Sequence, residues 1–140
     1  MKKGIVLLLS ILVFAGCSGQ KKATDSTIKV EYKAYSRGFY QVVTIENQMV
    51  FITKTRDEKP VVFKIPIADW KSLNMVIQEL DLESLSQLKA PTEKRLFDGA
   101  AIANLKITKQ GKTYESQSFD HGHPPAKTEK IVNKILSFVK

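Results

Sequence analysis

Residues 28–65, IKVEYKAYSRGFYQVVTIENQMVFITKTRDEKPVVFKI, decide the fold of this chain. Apolar and polar side chains alternate from Ile28, Val30 and Tyr32 onward, and a period of two is typical of a half-buried β-strand. Turn-forming residues divide the stretch at three places, residues 36–38, 47–48 and 56–60. We therefore predict four consecutive short strands, which form an antiparallel meander.

Downstream of Pro66 the period changes to that of a helix. Apolar residues spaced by three and four fall on one face of a helix predicted from about Ala68 to Leu80. Trp70 belongs to this face, and we interpret it as a core residue rather than a ligand-stacking one. A short leucine-rich helical turn follows and ends before Pro91.

The rest of the chain predicts two more strands and a closing helix. The strands occupy residues 100–108 and 112–119 around a turn at Gln110-Gly111, and the helix runs from about Pro125 to Val139. The order ββββ-α-ββ-α predicts an α+β fold, with an antiparallel sheet of about six strands and two main helices packed on one face. Residues 28–140 thus form a single domain.

The chain begins with MKKGIVLLLSILVFAGC, residues 1–17, which has the three parts of an export signal. Its apolar run is about half of the roughly 20 residues that a membrane-spanning helix needs. The ending Ala15-Gly16-Cys17 resembles the lipobox of bacterial lipoproteins. The resemblance implies that residues 1–16 are the signal peptide and that lipid is attached at Cys17, which is the only cysteine.

Residues 17–27 are predicted to be the lipidated cysteine and a flexible polar tether. The lipid would anchor the protein in the cell membrane or outer membrane, with the domain in the periplasm or on the cell surface. The formal net charge of +8 is spread along the chain without a dense basic block. In that location we expect no nucleic-acid partner, and the partner is expected to be an envelope protein or a glycan. A moderately basic surface favours anionic lipid headgroups, lipopolysaccharide or an acidic glycan, or it serves solubility alone.

Both histidines lie in residues 119–125, FDHGHPP. If residues 110–111 form a two-residue turn, the register of the hairpin sets Ala101 opposite Asp120 and Asp98 opposite His123. Two aspartates and two histidines then meet at one edge of the sheet.

The predicted cluster of Asp98, Asp120, His121 and His123 has three possible roles. Carboxylate and imidazole groups can bind zinc or a similar divalent ion. They can also form a ligand or partner site. The third alternative is structural bracing, in which Asp and His side chains hydrogen-bond to backbone N–H groups in an irregular turn.

Catalytic residues are not predicted. A triad can be written from Ser116 or Ser118 with His121 and Asp98, but the sequence has no nucleophile elbow and no glycine-rich oxyanion loop. Phosphate-binding, dinucleotide-binding and metalloprotease motifs are also absent from it. No cofactor is expected.

Four short motifs of the predicted domain resemble small lipoproteins of Gram-negative bacteria, particularly those of Bacteroidetes type. They are SRGFY at residues 36–40, APT at 90–92, FDGA at 97–100 and FDHGHPP at 119–125. This resemblance spans most of the domain but implies no particular activity.

The sequence therefore predicts a membrane-anchored lipoprotein of the cell envelope that acts as a non-enzymatic binding or interaction module. One alternative is a metal-binding or metal-dependent protein that uses the Asp and His cluster. Another is an exported enzyme inhibitor, for which Arg37 in the turn at residues 36–38 is the candidate anchor residue.

Overall fold

A computed structural model describes residues 27–140 and confirms the predicted α+β class. The signal peptide at residues 1–16, the lipidation site Cys17 and the tether before residue 27 lie outside the described residues. No helix within residues 27–140 has the length and apolar character that crossing a bilayer requires.

Seven antiparallel strands form one sheet. They are β1 Ile28–Tyr35, β2 Tyr40–Glu46, β3 Met49–Thr53, β4 Val61–Lys64, β5 Ile102–Lys109, β6 Lys112–Glu115 and β7 Phe119–Asp120. Six of them lie in the order β4-β3-β2-β1-β5-β6, and β7 pairs with β5 beyond the end of β6. The first four strands are the predicted meander.

Two tight turns fix the register of the sheet. Asn47 and Gln48 have φ angles of 51° and 64°, and Gln110 and Gly111 have φ angles of 51° and 77°. Positive φ at both central residues defines the type I′ turn, whose twist matches that of the flanking strands. Both turns lie where the sequence predicted them.

Two α-helices cover one face of the sheet, as predicted. They are α1 Ile67–Glu79, which buries Leu73 and Ile77, and α2 Glu129–Leu136, which buries Ile131, Val132 and Ile135. Three short 3₁₀ helices accompany them, at Leu82–Gln87, Lys94–Phe97 and Ala126–Thr128. Trp70 packs against the core, as interpreted from the sequence.

The hydrophobic core lies between this sheet face and the helices. The side chains of Val30, Tyr32 and Ala34 on β1 are fully buried there, whereas the alternating Lys29 and Lys33 are exposed on the opposite face. The opposite face is therefore open to solvent, with a mainly polar surface.

One part of the predicted hairpin register is wrong. Lys106 pairs with Glu115 as predicted, but Asp120 pairs with Ile102 instead of Ala101. The strand predicted at residues 112–119 is interrupted at Ser116, whose hydroxyl accepts the Leu105 N–H at 3.0 Å in place of a backbone carbonyl. This interruption admits one extra residue, as in a β-bulge, and shifts β7 by one position.

Candidate functional site

Asp120 is the centre of the predicted cluster and is fully buried. Its Oδ2 atom accepts hydrogen bonds from the Thr92 hydroxyl at 2.6 Å and the Lys94 N–H at 2.8 Å. Its Oδ1 atom accepts the Arg95 N–H at 2.9 Å and an Arg95 guanidinium N–H at 3.2 Å. The carboxylate thereby satisfies free backbone donors at the start of the 3₁₀ helix Lys94–Phe97.

These donors keep Asp120 ionised. Burial by itself raises the pKa of a carboxyl group, but the hydrogen bonds from Thr92, Arg95 and Lys94 outweigh it and hold the pKa of Asp120 well below its usual range. The side chain of Arg95 is only 12% exposed, so the ion pair is shielded from solvent. Hydrogen bonds from backbone N–H groups to Asp120 are the contacts that the structural-bracing alternative predicts.

His121 belongs to a small aromatic group beside Asp120. Its Nδ1 atom shares a 2.8 Å hydrogen bond with the Tyr32 hydroxyl, and its ring centre lies 5.0 Å from that of Phe39. Burial raises the pKa of Tyr32 to about 12, although the backbone N–H of Gly122 acts in the opposite direction. Burial, followed by the nearby His123, lowers the pKa of His121. The imidazole is therefore favoured in its neutral form.

The segment from Asp120 to His123 is a tight turn rather than an extended strand. The His123 N–H donates to the Asp120 carbonyl oxygen at 2.8 Å, and Gly122 has a φ of 82°. Positive φ at the third of four turn residues is typical of a type II turn, where glycine is favoured. His123 is exposed, while His121 is half-buried.

Asp98 does not meet His123 as the predicted register required. It ends the 3₁₀ helix Lys94–Phe97 in a left-handed conformation, with a φ of 57°, and is exposed. Within residues 27–140, no three His, Cys, Asp or Glu side chains are grouped closely enough to hold a metal ion. The metal-binding alternative stays a prediction.

The remaining residues named from the sequence form contacts of other kinds. The hydroxyl of Ser116 is bonded to Leu105, and that of Ser118 accepts a hydrogen bond from Arg95 Nε at 3.3 Å. Arg37 is exposed in a turn that the Ser36 N–H closes by donating to the Phe39 carbonyl oxygen at 2.8 Å. The inhibitor alternative keeps Arg37 as its anchor and stays a prediction.

A cavity of about 770 Å³ lies beside β4, where sequence reasoning did not place a site. This β4 cavity is bounded by β4, the start of α1 and the residues 137–140 that follow α2. Its apolar lining is formed by Ile52, Val61, Phe63, Ile65 and Phe138, and its charged lining by Lys54, Glu58, Lys59, Lys64, Asp69 and Lys140. Ligand sites in proteins commonly have volumes of about 300–1,000 Å³.

The β4 cavity exists because the helices do not reach the edge of the sheet. Tyr32, Val43, Ile52 and Val61 form one cross-strand row on the core face. Their exposed fractions are 0%, 0%, 6% and 67% from β1 outward to β4. The sequence signal for this site was the adjacent apolar pair Val61-Val62. A strand that is covered on one face only normally alternates apolar and polar residues, and this pair interrupts that alternation.

The rim of the cavity carries lysines with few acidic partners. Asp69 is already bonded to Lys134 at 2.6 Å, and Lys54 Nζ donates to the Lys140 carbonyl oxygen at 2.6 Å. Lys59 and Lys64 are exposed and form no salt bridge within residues 27–140. The cavity thus combines an apolar floor with a positively charged rim.

Comparisons with known proteins add no assignment to this geometry. No protein-family model matches the chain, and neither the curated proteins nor the solved structures yielded a match.

We expect Asp120→Asn to destabilise the protein by at least about 2 kcal/mol, because it removes the charge that satisfies several buried donors. Asp98→Asn is the matched control, since Asp98 is an exposed acid at the end of the 3₁₀ helix that Asp120 holds, and asparagine tolerates its left-handed conformation. The control should change the free energy of unfolding by less than about 0.5 kcal/mol. Urea unfolding measures both, and equal effects would contradict the bracing role.

The stability of the protein should depend on pH through His121. Because the pKa of His121 is lower in the folded state, the unfolded state binds the proton first, and stability falls as the pH drops below about 6.5. His121→Phe should reduce the loss of unfolding free energy between about pH 7 and pH 5, whereas His123→Gln should keep most of it. Asp120 lowers the free energy of unfolding further only below about pH 4, where its carboxyl group becomes protonated in the unfolded state. Identical pH profiles for the protein and His121→Phe would show that His121 is not the responsible group.

Proposed function

We propose that the protein is a non-enzymatic binding module, held at the cell envelope by lipid on Cys17, and that its ligand occupies the β4 cavity. The observation that carries this proposal is the uncovered apolar side of β4. Val61 faces the same side as the core and lines the cavity, but its side chain is 67% exposed.

Covering this side chain is energetically favourable. Burial of a Val or Phe side chain contributes about 1.5–3 kcal/mol relative to its exposed state. Phe63 and Phe138 already form a partly buried floor, so an apolar group in the cavity would contact preformed surface. A preformed site loses little conformational entropy on binding.

The charges around the cavity indicate which apolar groups it would favour. Lys54, Lys59 and Lys64 line it and are exposed. A positive rim raises the local concentration of anions and the rate at which they associate. The favoured ligand therefore carries both an apolar part and negative charge. An envelope protein offers both more readily than a glycan does.

The envelope location is supported by the lipobox-like ending Ala15-Gly16-Cys17. Two or more acyl chains hold a protein stably on a membrane. Residues 18–27 lie between Cys17 and β1, and ten residues span at most about 35 Å. The domain would therefore work within a short distance of the membrane surface.

We expect Cys17→Ser to abolish lipid attachment. Cells supplied with an alkyne analogue of palmitate should label the unchanged protein and the control Ser18→Ala, but not Cys17→Ser. Mass spectrometry of the N-terminal peptide should find acylated Cys17 at the start of the mature chain. An unmodified Cys17 in the mature protein would refute the anchor.

Binding in the β4 cavity can be tested with phenylbutyrate, a soluble anion with an apolar ring. In NMR spectra of the full chain in a non-ionic detergent, titration should shift the amide signals of Val61, Phe63 and Phe138, but not that of Thr113 on β6. Val61→Trp, which fills the cavity, should weaken binding at least about tenfold.

Val62→Trp is the matched control for this experiment. It adds the same indole to the same strand, but on the opposite face of the sheet. Val62→Trp should therefore keep the amide shifts that phenylbutyrate causes. Partitioning of phenylbutyrate into the detergent affects both variants equally. Equal loss of binding in the two variants, or the absence of shifts at the cavity, would contradict the proposed ligand site.

A further inference from the structure

We propose that the partner is an extended acidic segment of another protein, which adds to β4 as a further strand of the sheet and inserts alternate apolar side chains into the β4 cavity. This inference rests on the proposed function, because it names the class of ligand that the cavity receives.

The two edges of the sheet differ. The 3₁₀ helix Leu82–Gln87 packs beside β6, where Lys112 and Glu83 form a 2.6 Å salt bridge. Within residues 27–140, β4 has β3 as its only neighbour. An edge strand without a second neighbour presents unpaired backbone groups that can template the addition of another strand.

The hydrogen-bond pattern identifies the backbone groups that are available. The Ile65 N–H donates to the Gln48 carbonyl oxygen at 2.9 Å. Hydrogen-bonded and non-hydrogen-bonded residue pairs alternate in an antiparallel ladder. The backbone groups of Phe63 and Val61 therefore also form hydrogen bonds with β3. The N–H and C=O groups of Val62 and Lys64 therefore point away from the sheet.

Strand addition at these groups fits the β4 cavity. A segment bonded to Val62 and Lys64 would place its intervening residues opposite Val61 and Phe63, on the core face. Those side chains would enter the cavity, which Val61 and Phe63 line. The other side chains of the segment would lie beside Val62, which is 46% exposed on the open face.

Charge selects an acidic partner over other occupants. Four lysines line the cavity against Glu58 and Asp69, and Asp69 is bonded to Lys134, so pairing of β4 with β4 of a second copy would bring two positively charged edges together. The tether of the chain itself is also an unfavourable occupant, because residues 18–26 contain two lysines and one aspartate. Flanking lysines also discourage indiscriminate edge pairing, which makes the surface selective.

The test uses the full chain in a non-ionic detergent and a blocked peptide in which Glu alternates with Leu over the length of β4. Amide hydrogen exchange is followed by NMR. Saturating peptide should slow the exchange of the Val62 and Lys64 amides about tenfold or more, because these amides gain hydrogen bonds. The amides of Val61 and Phe63, already bonded to β3, serve as internal controls. A peptide with Lys in place of Glu should not bind.

A variant addresses the backbone contact directly. Val62→Pro removes an outward N–H at an edge position where proline is tolerated. It should weaken peptide binding about tenfold or more while leaving the phenylbutyrate shifts in place. If that variant does not fold, the exchange measurement on the unchanged protein still decides the question.

Each outcome bears on one claim. If the peptide shifts the cavity signals but leaves the exchange of Val62 and Lys64 unchanged, strand addition is wrong and the cavity remains a ligand site. Strand addition is also wrong if phenylbutyrate binds and the acidic peptide does not. If neither ligand shifts the cavity signals, the proposed function itself fails.

Discussion

The width of the sheet relative to its helical layer is the constraint on which the candidate site depends. Six strands at a spacing of about 4.8 Å occupy a width of about 29 Å, whereas two packed helices of about 10 Å diameter cover about 20 Å. A third element, the 3₁₀ helix Leu82–Gln87, lies beside β6. The part of the sheet that the helices do not cover is therefore at β4, where the apolar side chain of Val61 remains exposed.

A second determinant of the structure is the buried carboxylate of Asp120. Its hydrogen-bond donors lie 25 to 28 residues away in the chain, so it joins β7 to a segment that has little hydrophobic packing of its own. That segment ends in Leu96 and Phe97, which are 64% and 82% exposed. A charge-assisted network can thus hold a loop in place where apolar burial does not.

The strands, the two main helices and the two type I′ turns could be predicted from the sequence because each depends on local alternation, spacing or turn chemistry. The shift at Ser116 could not, since a serine hydroxyl replaced a backbone carbonyl as acceptor. The expected pairing of Asp98 with His123 is absent because residues 120–123 form a turn, in which His123 bridges back to Asp120, and because Asp98 ends a 3₁₀ helix rather than a strand. The donors of Asp120 lie on a distant segment, which no local pattern of the sequence indicates. The exposure of Val61 left only the adjacent apolar pair Val61-Val62 as a signal, and that pair does not show which strand the helices leave uncovered.

The central position of β1 has a consequence for folding. β1 pairs with β2 across a turn of a few residues, but its other edge pairs with β5, so that Tyr35 lies opposite Ile102 and Ile28 opposite Lys109. Closing so large a loop costs more conformational entropy and slows folding relative to local pairing. While the chain is being made, β1 must wait for residues 102–109, and until then the meander has two unpaired edges instead of one. A chain of this topology therefore exposes a second strand edge, which can pair with other chains, until residues 102–109 have emerged.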